Sequence, residues 1–190
     1  PMRRIRLVST LSLVAAGVLL SANAVADSFH GKGDGKLKVN LKGFEEVPVT
    51  VSSGSGELQL MINEAAGTIA YNLSYEDLEG DVTQAHIHMA PAGVNGGIVV
   101  WLFPSVKVRA ALPGGGGPVA RILVAGTFSA IDFTGTLAGK SLADFIAAVE
   151  AGQTYGNVHT DDGIAPANTS AGDFPGGEIR GQLNASSLNK

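Results

Sequence analysis

From residue 36 onward, the chain consists largely of short runs in which hydrophobic and polar residues alternate. In the first run, Leu37, Val39 and Leu41 alternate with three lysines and an asparagine. A period of two places hydrophobic side chains on one face of a strand and polar side chains on the other. Similar runs predict further strands at residues 57–62, 68–75, 82–89, 98–103, 121–128, 155–160 and 177–184.

One segment, residues 141–152, departs from this alternation. Ser141 is followed three residues later by Asp144, the spacing of a capping box, and hydrophobic residues then recur at helical spacing. Gly152 supplies a stop signal, so a helix is predicted at about residues 141–151. One short helix among many short strands predicts an all-β fold, an antiparallel Greek-key-like β-sandwich or barrel.

In three segments, residues that can bind a metal or form ion pairs lie on the strand face opposite the hydrophobic residues. His86 and His88 alternate with Ala85, Ile87 and Met89. Asn157 and His159 flank Val158, and Glu178 and Arg180 flank Ile179. If the three strands are neighbours, these side chains form one polar patch on the outer side of the sheet.

Histidines at positions i and i+2 of a strand can converge on one ion, and a third from another strand would complete three ligands. His86, His88 and His159 are therefore candidate metal ligands, with Asn157, Glu178 and Arg180 behind them to orient the rings. The chain has no cysteine, and an all-imidazole site suits copper before zinc. The alternative interpretation of these histidines is ordinary polar surface.

The N-terminal residues predict export. Arg3, Arg4 and Arg6 precede the apolar run 7–20 and then the small residues 24–26, the pattern of a signal peptide cleaved after Ala26. Cleavage removes three arginines and no acids, which takes the formal charge from −4 to −7. An acidic domain argues against nucleic acid as partner, and no stable membrane insertion is expected after processing. Residues 27–35 are predicted to be a flexible segment.

The motifs together resemble the CHRD domain, named for its repeats in chordin. They are "GFEEVPVTVSSGSGELQL" (43–60), "AHIHMAPAGVNGGIVVWL" (85–102), "YGNVHT" (155–160) and "GGEIRGQL" (176–183), in the order typical of the family. The resemblance covers about residues 36–185 and implies an all-β extracytoplasmic domain. In chordin such domains belong to a secreted protein that binds growth factors, a function that does not transfer to a single exported domain.

These observations predict a periplasmic or secreted domain with a transition-metal site, whose role is binding, storage or sensing. No nucleophile–base–orienter set is visible, so an enzyme is not expected. The alternatives are a metal-independent extracytoplasmic module that binds a protein ligand and a copper-dependent redox enzyme. The latter would need an open coordination position at the metal.

Overall fold

A computed structural model describes residues 35–103, 122–164 and 172–189 of the chain. All strands of these residues belong to a single antiparallel sheet. The strands are β1 (Lys36–Lys42), β2 (Ser55–Asn63), β3 (Thr68–Glu76), β4 (Asp81–Met89), β5 (Gly97–Phe103), β6 (Ile122–Ser129), β7 (Thr154–Asp161), β8 (Phe174–Leu183) and β9 (Leu188–Asn189). The only α-helix of these residues is α1 (Leu142–Glu150).

The strand order makes the sheet nearly a barrel. It runs β5-β4-β7-β8-β1-β2-β3-β6, with the short β9 beside β1. The end strands β5 and β6 approach each other, so the sheet almost closes on itself. The predicted all-β antiparallel class with one short helix is confirmed.

Local sequence explains where the elements begin and end. Strands β2 and β3 pair in register from Ser55↔Glu76 to Asn63↔Thr68, and Gly67 adopts a positive φ of 66° in the turn between them. At α1, the Ser141 side chain accepts the Asp144 N–H, and the Asp144 carboxylate accepts the Ser141 N–H. The predicted capping box is therefore present, and Gly152 follows the helix with a φ of 65°.

The hydrophobic residues predicted to point inward form one continuous core. Leu37 and Leu41 of β1 are buried there, while Lys36, Lys38 and Lys42 on the opposite face are exposed. From the other half of the sheet, the core receives Ala85, Ile87, Val158, Ile179 and Leu183, all fully buried. Phe145 and Val149 of α1 pack against the same core.

The predicted signal peptide and most of the predicted flexible segment lie outside the described residues, which begin at residue 35. Those that are described contain no helix with the length and hydrophobicity needed to cross a membrane.

Candidate metal centre

Three neighbouring strands bring the polar residues of the sequence patterns together. Strand β7 lies between β4 and β8 and pairs with both in antiparallel register. His86 is directly opposite Asn157, which is in turn opposite Arg180, and His159 is opposite Gln84 on β4. Side chains of opposed residues share a face, so the side of these strands turned away from the core carries all three histidines. We call it the histidine face.

The three imidazole rings lie in contact distance of one another. Ring centroids are 5.4 Å apart for His86 and His88, 5.0 Å for His86 and His159, and 6.2 Å for His88 and His159. Each ring offers one nitrogen to a group whose members all lie within 4.8 Å of one another. Nitrogens bonded to one central ion at about 2 Å lie about 3.3–4 Å apart, which is within this limit.

Hydrogen bonds determine which nitrogen of each ring carries the proton. Nδ1 of His88 lies 2.9 Å from the carbonyl oxygen of Gly96, and Nδ1 of His159 lies 2.8 Å from that of Pro175. A carbonyl oxygen can only accept, so Nδ1 is the donor in both rings and Nε2 keeps its lone pair. Nδ1 of His86 lies 3.3 Å from Nε2 of His159 and must then donate to it, which leaves Nε2 of His86 bare.

Burial keeps the three rings uncharged. The exposed fractions are 1% for His86, 8% for His88 and 7% for His159. Burial lowers the pKa of His86 to about 3, with a further lowering from the neighbouring His159 and His88. Burial also lowers the pKa of His88 and that of His159, although their bonds to Gly96 and Pro175 act in the opposite direction. At neutral pH all three rings are neutral and can donate lone pairs to an ion.

Two loops cover the histidine face, and this corrects the expectation that it would be polar outer surface. The covering loops are residues 43–54, between β1 and β2, and residues 90–96, between β4 and β5. Thr50 Oγ1 donates to the carbonyl of Gly177 on β8, and Gln182 Nε2 on β8 donates to the carbonyl of Ala90. Asn95 Nδ2 also donates to the carbonyl of Val47, 2.5 Å away, so the two loops are joined over the site.

Arg180 is a fully buried cation at the edge of the three rings. Its guanidinium carbon lies 3.4 Å from the centroid of the Tyr155 ring, which stacks on His88 at 4.8 Å and an angle of 5°. The guanidinium also donates to Asn95 Oδ1 and to the carbonyls of Val94 and Pro91. Arg180 therefore holds the second covering loop above His88 through neutral acceptors.

Glu178, although close in sequence to Arg180, interacts with different partners. One carboxylate oxygen accepts from Ser52 Oγ and the backbone N–H of Glu79, and the other accepts from Thr160 Oγ1. In the described part of the chain it makes no ion pair with Arg180 and no hydrogen bond to a histidine ring. It fastens the first covering loop to the sheet, one strand away from the ring nitrogens.

Glu46, in the first covering loop, was missed by sequence reasoning. Its side chain is only 3% exposed. Burial raises the pKa of Glu46 to about 7, opposed by the charge of Arg180 and by hydrogen bonds from Asn157 and the backbone of Val47. Gly177 leaves the space that this carboxyl occupies, since a Cβ there would collide with it. The only signal was an acidic residue close to Pro48, a pattern that loops share widely.

Trp101 on β5 is a second residue of this site that sequence reasoning missed. It is only partly buried, and its ring lies edge-on to His86, with centroids 4.3 Å apart. Pairing of His86 with Trp101 between β4 and β5 puts both side chains on the histidine face. Knowing the strand neighbours of β4 would have been necessary to predict this contact.

Four buried atoms of this region have no hydrogen-bond partner among the described residues. They are Nε2 of His86, Nε2 of His88, Oδ1 of Asn157 and Oε1 of Glu46. With the tautomers above, both nitrogens are lone-pair acceptors, as is the amide oxygen. Each unpartnered buried acceptor lowers the stability of the fold by about 1–3 kcal/mol. The histidine face is therefore suited to bind a group that accepts electron pairs or donates protons. A metal ion on the imidazole nitrogens meets that need.

A separate group of three carboxylates is explained by turn chemistry, since Asp-Gly is a turn sequence. Asp161, Asp162 and Asp173 lie near one another and are half-buried. Their carboxylates accept the backbone N–H groups of Gly163, Ile164 and Asp162 respectively. These bonds stabilise the turn after β7.

Comparison with known proteins identifies one family. The family model of the CHRD domain matches residues 37–183, which is most of the chain. The chain therefore belongs to the CHRD domain family, as the four motifs indicated. No match was found among curated proteins or among solved structures.

Proposed function

We propose that this CHRD domain binds one transition-metal ion, copper before zinc, through His86, His88 and His159. The observation that carries the proposal is the convergence of three buried, neutral imidazoles, one nitrogen of each lying within 4.8 Å of those of the other two. Imidazole nitrogens suit copper and zinc, and among divalent ions copper stands above zinc in the general order of affinities. Binding, storage or sensing fits such a site better than turnover, because all three rings are buried.

The surroundings of the rings support the same function. In metalloproteins, a histidine ligand commonly donates its second ring N–H to a backbone carbonyl, which fixes the ring orientation. His88 and His159 do so toward Gly96 and Pro175. To bind the ion, Nε2 of His159 would give up its hydrogen bond from Nδ1 of His86. That loss is about 1 kcal/mol, and a metal–nitrogen bond outweighs it.

Metal analysis of the purified protein tests the proposal. The wild-type protein should retain one equivalent of copper after dialysis, and His88→Ala should retain none while keeping its circular dichroism spectrum. His30→Ala is the matched control, since His30 is the one histidine outside the group. It should bind copper like the wild type. Full copper retention by a folded His88→Ala variant would rule the site out.

Export of the domain is part of this proposal and rests on residues 3–26 alone. The charged start, apolar run and small residues of this segment are typical of a signal peptide. An extracytoplasmic metal-binding domain without cysteine would have no thiol to be oxidised there.

A metal-independent protein-binding module is the second candidate, favoured by exposed hydrophobic residues on the covering loops. Phe44, Val49 and Val51 on the first loop and Val94 on the second are exposed. Apolar side chains concentrated on adjacent loops are typical of contact surfaces. A protein interaction that is lost in Phe44→Ser, kept in His88→Ala and unaffected by chelators would favour this candidate over metal binding.

A further inference from the structure

The charges around the three imidazoles lead to an inference about the oxidation state of the ion, which rests on the proposed function. The imidazoles themselves are neutral donors. Among the described residues, no carboxylate joins the three rings in the group of potential ligand atoms. A bound ion would therefore keep its full formal charge at its first contacts, and the nearest charged side chains determine how well that charge is tolerated.

Arg180 places a fixed positive charge beside the rings. The Tyr155 ring cannot carry both His88 and the guanidinium on one face without a steric clash, so they lie on opposite faces. The two distances to that ring place the guanidinium within about 8 Å of the His88 ring. Arg180 is 1% exposed and makes no ion pair in the described part of the chain, so solvent screens it weakly.

The carboxylates near Arg180 compensate its positive charge only in part. Glu178 has both oxygens engaged by Ser52, Thr160 and the backbone of Glu79, away from the rings. Glu45 and Glu46 of the first covering loop both act on the charge of Arg180, but Glu45 is exposed, so solvent screens its charge. Burial raises the pKa of Glu46 to about 7. Near neutral pH it therefore carries only part of a negative charge, less than the charge of the guanidinium.

This arrangement penalises a doubly charged ion more than a singly charged one. The cost of transferring an ion from water into a buried site rises with the square of its charge. Repulsion from Arg180 is also twice as large for a divalent ion. For an ion at about the same 8 Å from the guanidinium as the His88 ring, with an effective dielectric constant of about 20, the difference is about 30-fold in affinity. Copper(II) prefers four or more ligands in a plane, and zinc(II) prefers four in a tetrahedron. Three imidazoles leave both ions short of protein ligands.

We propose that this site selects copper(I) over copper(II) and zinc(II), and that the guanidinium of Arg180 sets the preference. Copper(I), with a filled d shell, is stable with few ligands and carries a single charge. The domain would then hold or deliver reduced copper, and Arg180 would act on the ion through the Tyr155–His88 stack without touching it.

The reduction potential of the copper-loaded protein tests this directly, because it measures the ratio of copper(I) to copper(II) affinity. The wild-type protein, loaded with copper and titrated against redox mediators, should show a potential above that of the aqueous couple. In competition with a colorimetric copper(I) chelator under anaerobic conditions, one equivalent of copper(I) should remain bound. Equal concentrations of zinc(II) should not displace it.

Two variants change the surrounding charge in opposite directions. Arg180→Gln keeps a donor for the loop carbonyls but removes the charge. The ratio of copper(I) to copper(II) affinity should then fall about 30-fold, which lowers the reduction potential by about 90 mV for a one-electron couple. Glu46→Gln removes the partial negative charge and should raise it. Arg180→Lys, which keeps the charge, should stay near the wild-type value. Should Arg180→Gln fail to fold, the wild-type potential and the Glu46→Gln shift still decide the matter.

The outcomes separate this inference from the proposed function. A protein that binds neither oxidation state of copper overturns both. A protein that binds stoichiometric copper with a potential at or below the aqueous couple leaves the metal site standing and overturns the copper(I) preference. A high wild-type potential that moves in neither variant would show that coordination alone sets it, which overturns the role of Arg180.

Discussion

The two faces of strands β4 and β7 are equally buried but differ in how well their atoms are satisfied. On the core face, Ala85, Ile87 and Val158 are fully enclosed by apolar neighbours. On the histidine face, His86 and Asn157 are just as inaccessible to solvent, yet both carry an unpartnered atom. The apolar side chains of the core face need no polar partner, whereas the histidine face carries buried lone pairs that no hydrogen bond satisfies. Burial alone therefore does not distinguish a packing face from a binding face, but polar satisfaction does.

The largest effect is expected from damage to the core face. Ile87→Ala deletes a fully buried side chain and should lower the free energy of unfolding by about 2–5 kcal/mol. Urea unfolding of the metal-free protein would measure this. The folded fraction should still bind copper, because the rings of the neighbouring histidines face the other way. A loss of less than 1 kcal/mol would show that this face is less tightly packed than the structure indicates.

Acid should damage the histidine face selectively. The pKa of His86 is lowered from 6.5 to about 3, so the unfolded chain takes up a proton in this interval and the folded protein does not. Its stabilising contribution is present above pH 6.5 and is lost as pH falls toward 3, which amounts to about 2 kcal/mol at pH 5. His88 and His159, whose pKa values are also lowered, add to the loss.

Glu46 supplies the control for this acid effect, because its pKa is shifted in the other direction. With a pKa raised from 4.5 to about 7, its contribution is present below pH 4.5 and is lost as pH rises through 7. It therefore offsets part of the histidine loss between pH 7 and pH 5. Metal-free Glu46→Gln should lose stability on acidification more steeply than the wild type, as urea midpoints at several pH values would show. An equal or shallower slope would contradict the assignment of these charges.

The smallest effect on stability is expected from His86→Phe, next to Ile87 on the same strand. The substitution removes one unpartnered nitrogen, leaves Nε2 of His159 without its donor, and keeps an aromatic ring against Trp101. We expect a change within about 1 kcal/mol, because removal of the unpartnered nitrogen of His86 offsets the loss of the donor to Nε2 of His159, each worth about 1–3 kcal/mol. Copper retention should be abolished all the same. A loss comparable with that of Ile87→Ala would mean that the histidine face is structural.

Periodicity predicted the strands because side chains alternate strictly across a sheet. The alternation in residues 85–89 placed His86 and His88 together, opposite Ile87, as the structure has them. Local capping chemistry predicted α1, since Ser141 and Asp144 satisfy backbone groups within the same turn. Both signals depend on residues a few positions apart, which a single sequence displays directly.

What depends on distant residues could not be predicted in the same way. Parity separates two faces but does not say which of them solvent reaches, and here the loop containing Glu46 covers the polar one. His159 joins His86 only because β7 pairs with β4, a pairing that no local pattern specifies. The stack of Arg180, Tyr155 and His88 combines both effects, since it needs adjacent strands and a cover over them.

The contact between Trp101 and His86 gives the domain a natural optical reporter. It is the chain's sole indole, and it touches a proposed ligand edge-on at 4.3 Å. Tryptophan fluorescence therefore comes from a single side chain beside the proposed ligand, with no second tryptophan contributing. Paramagnetic quenching of that emission would distinguish oxidised from reduced copper in solution, with no label attached.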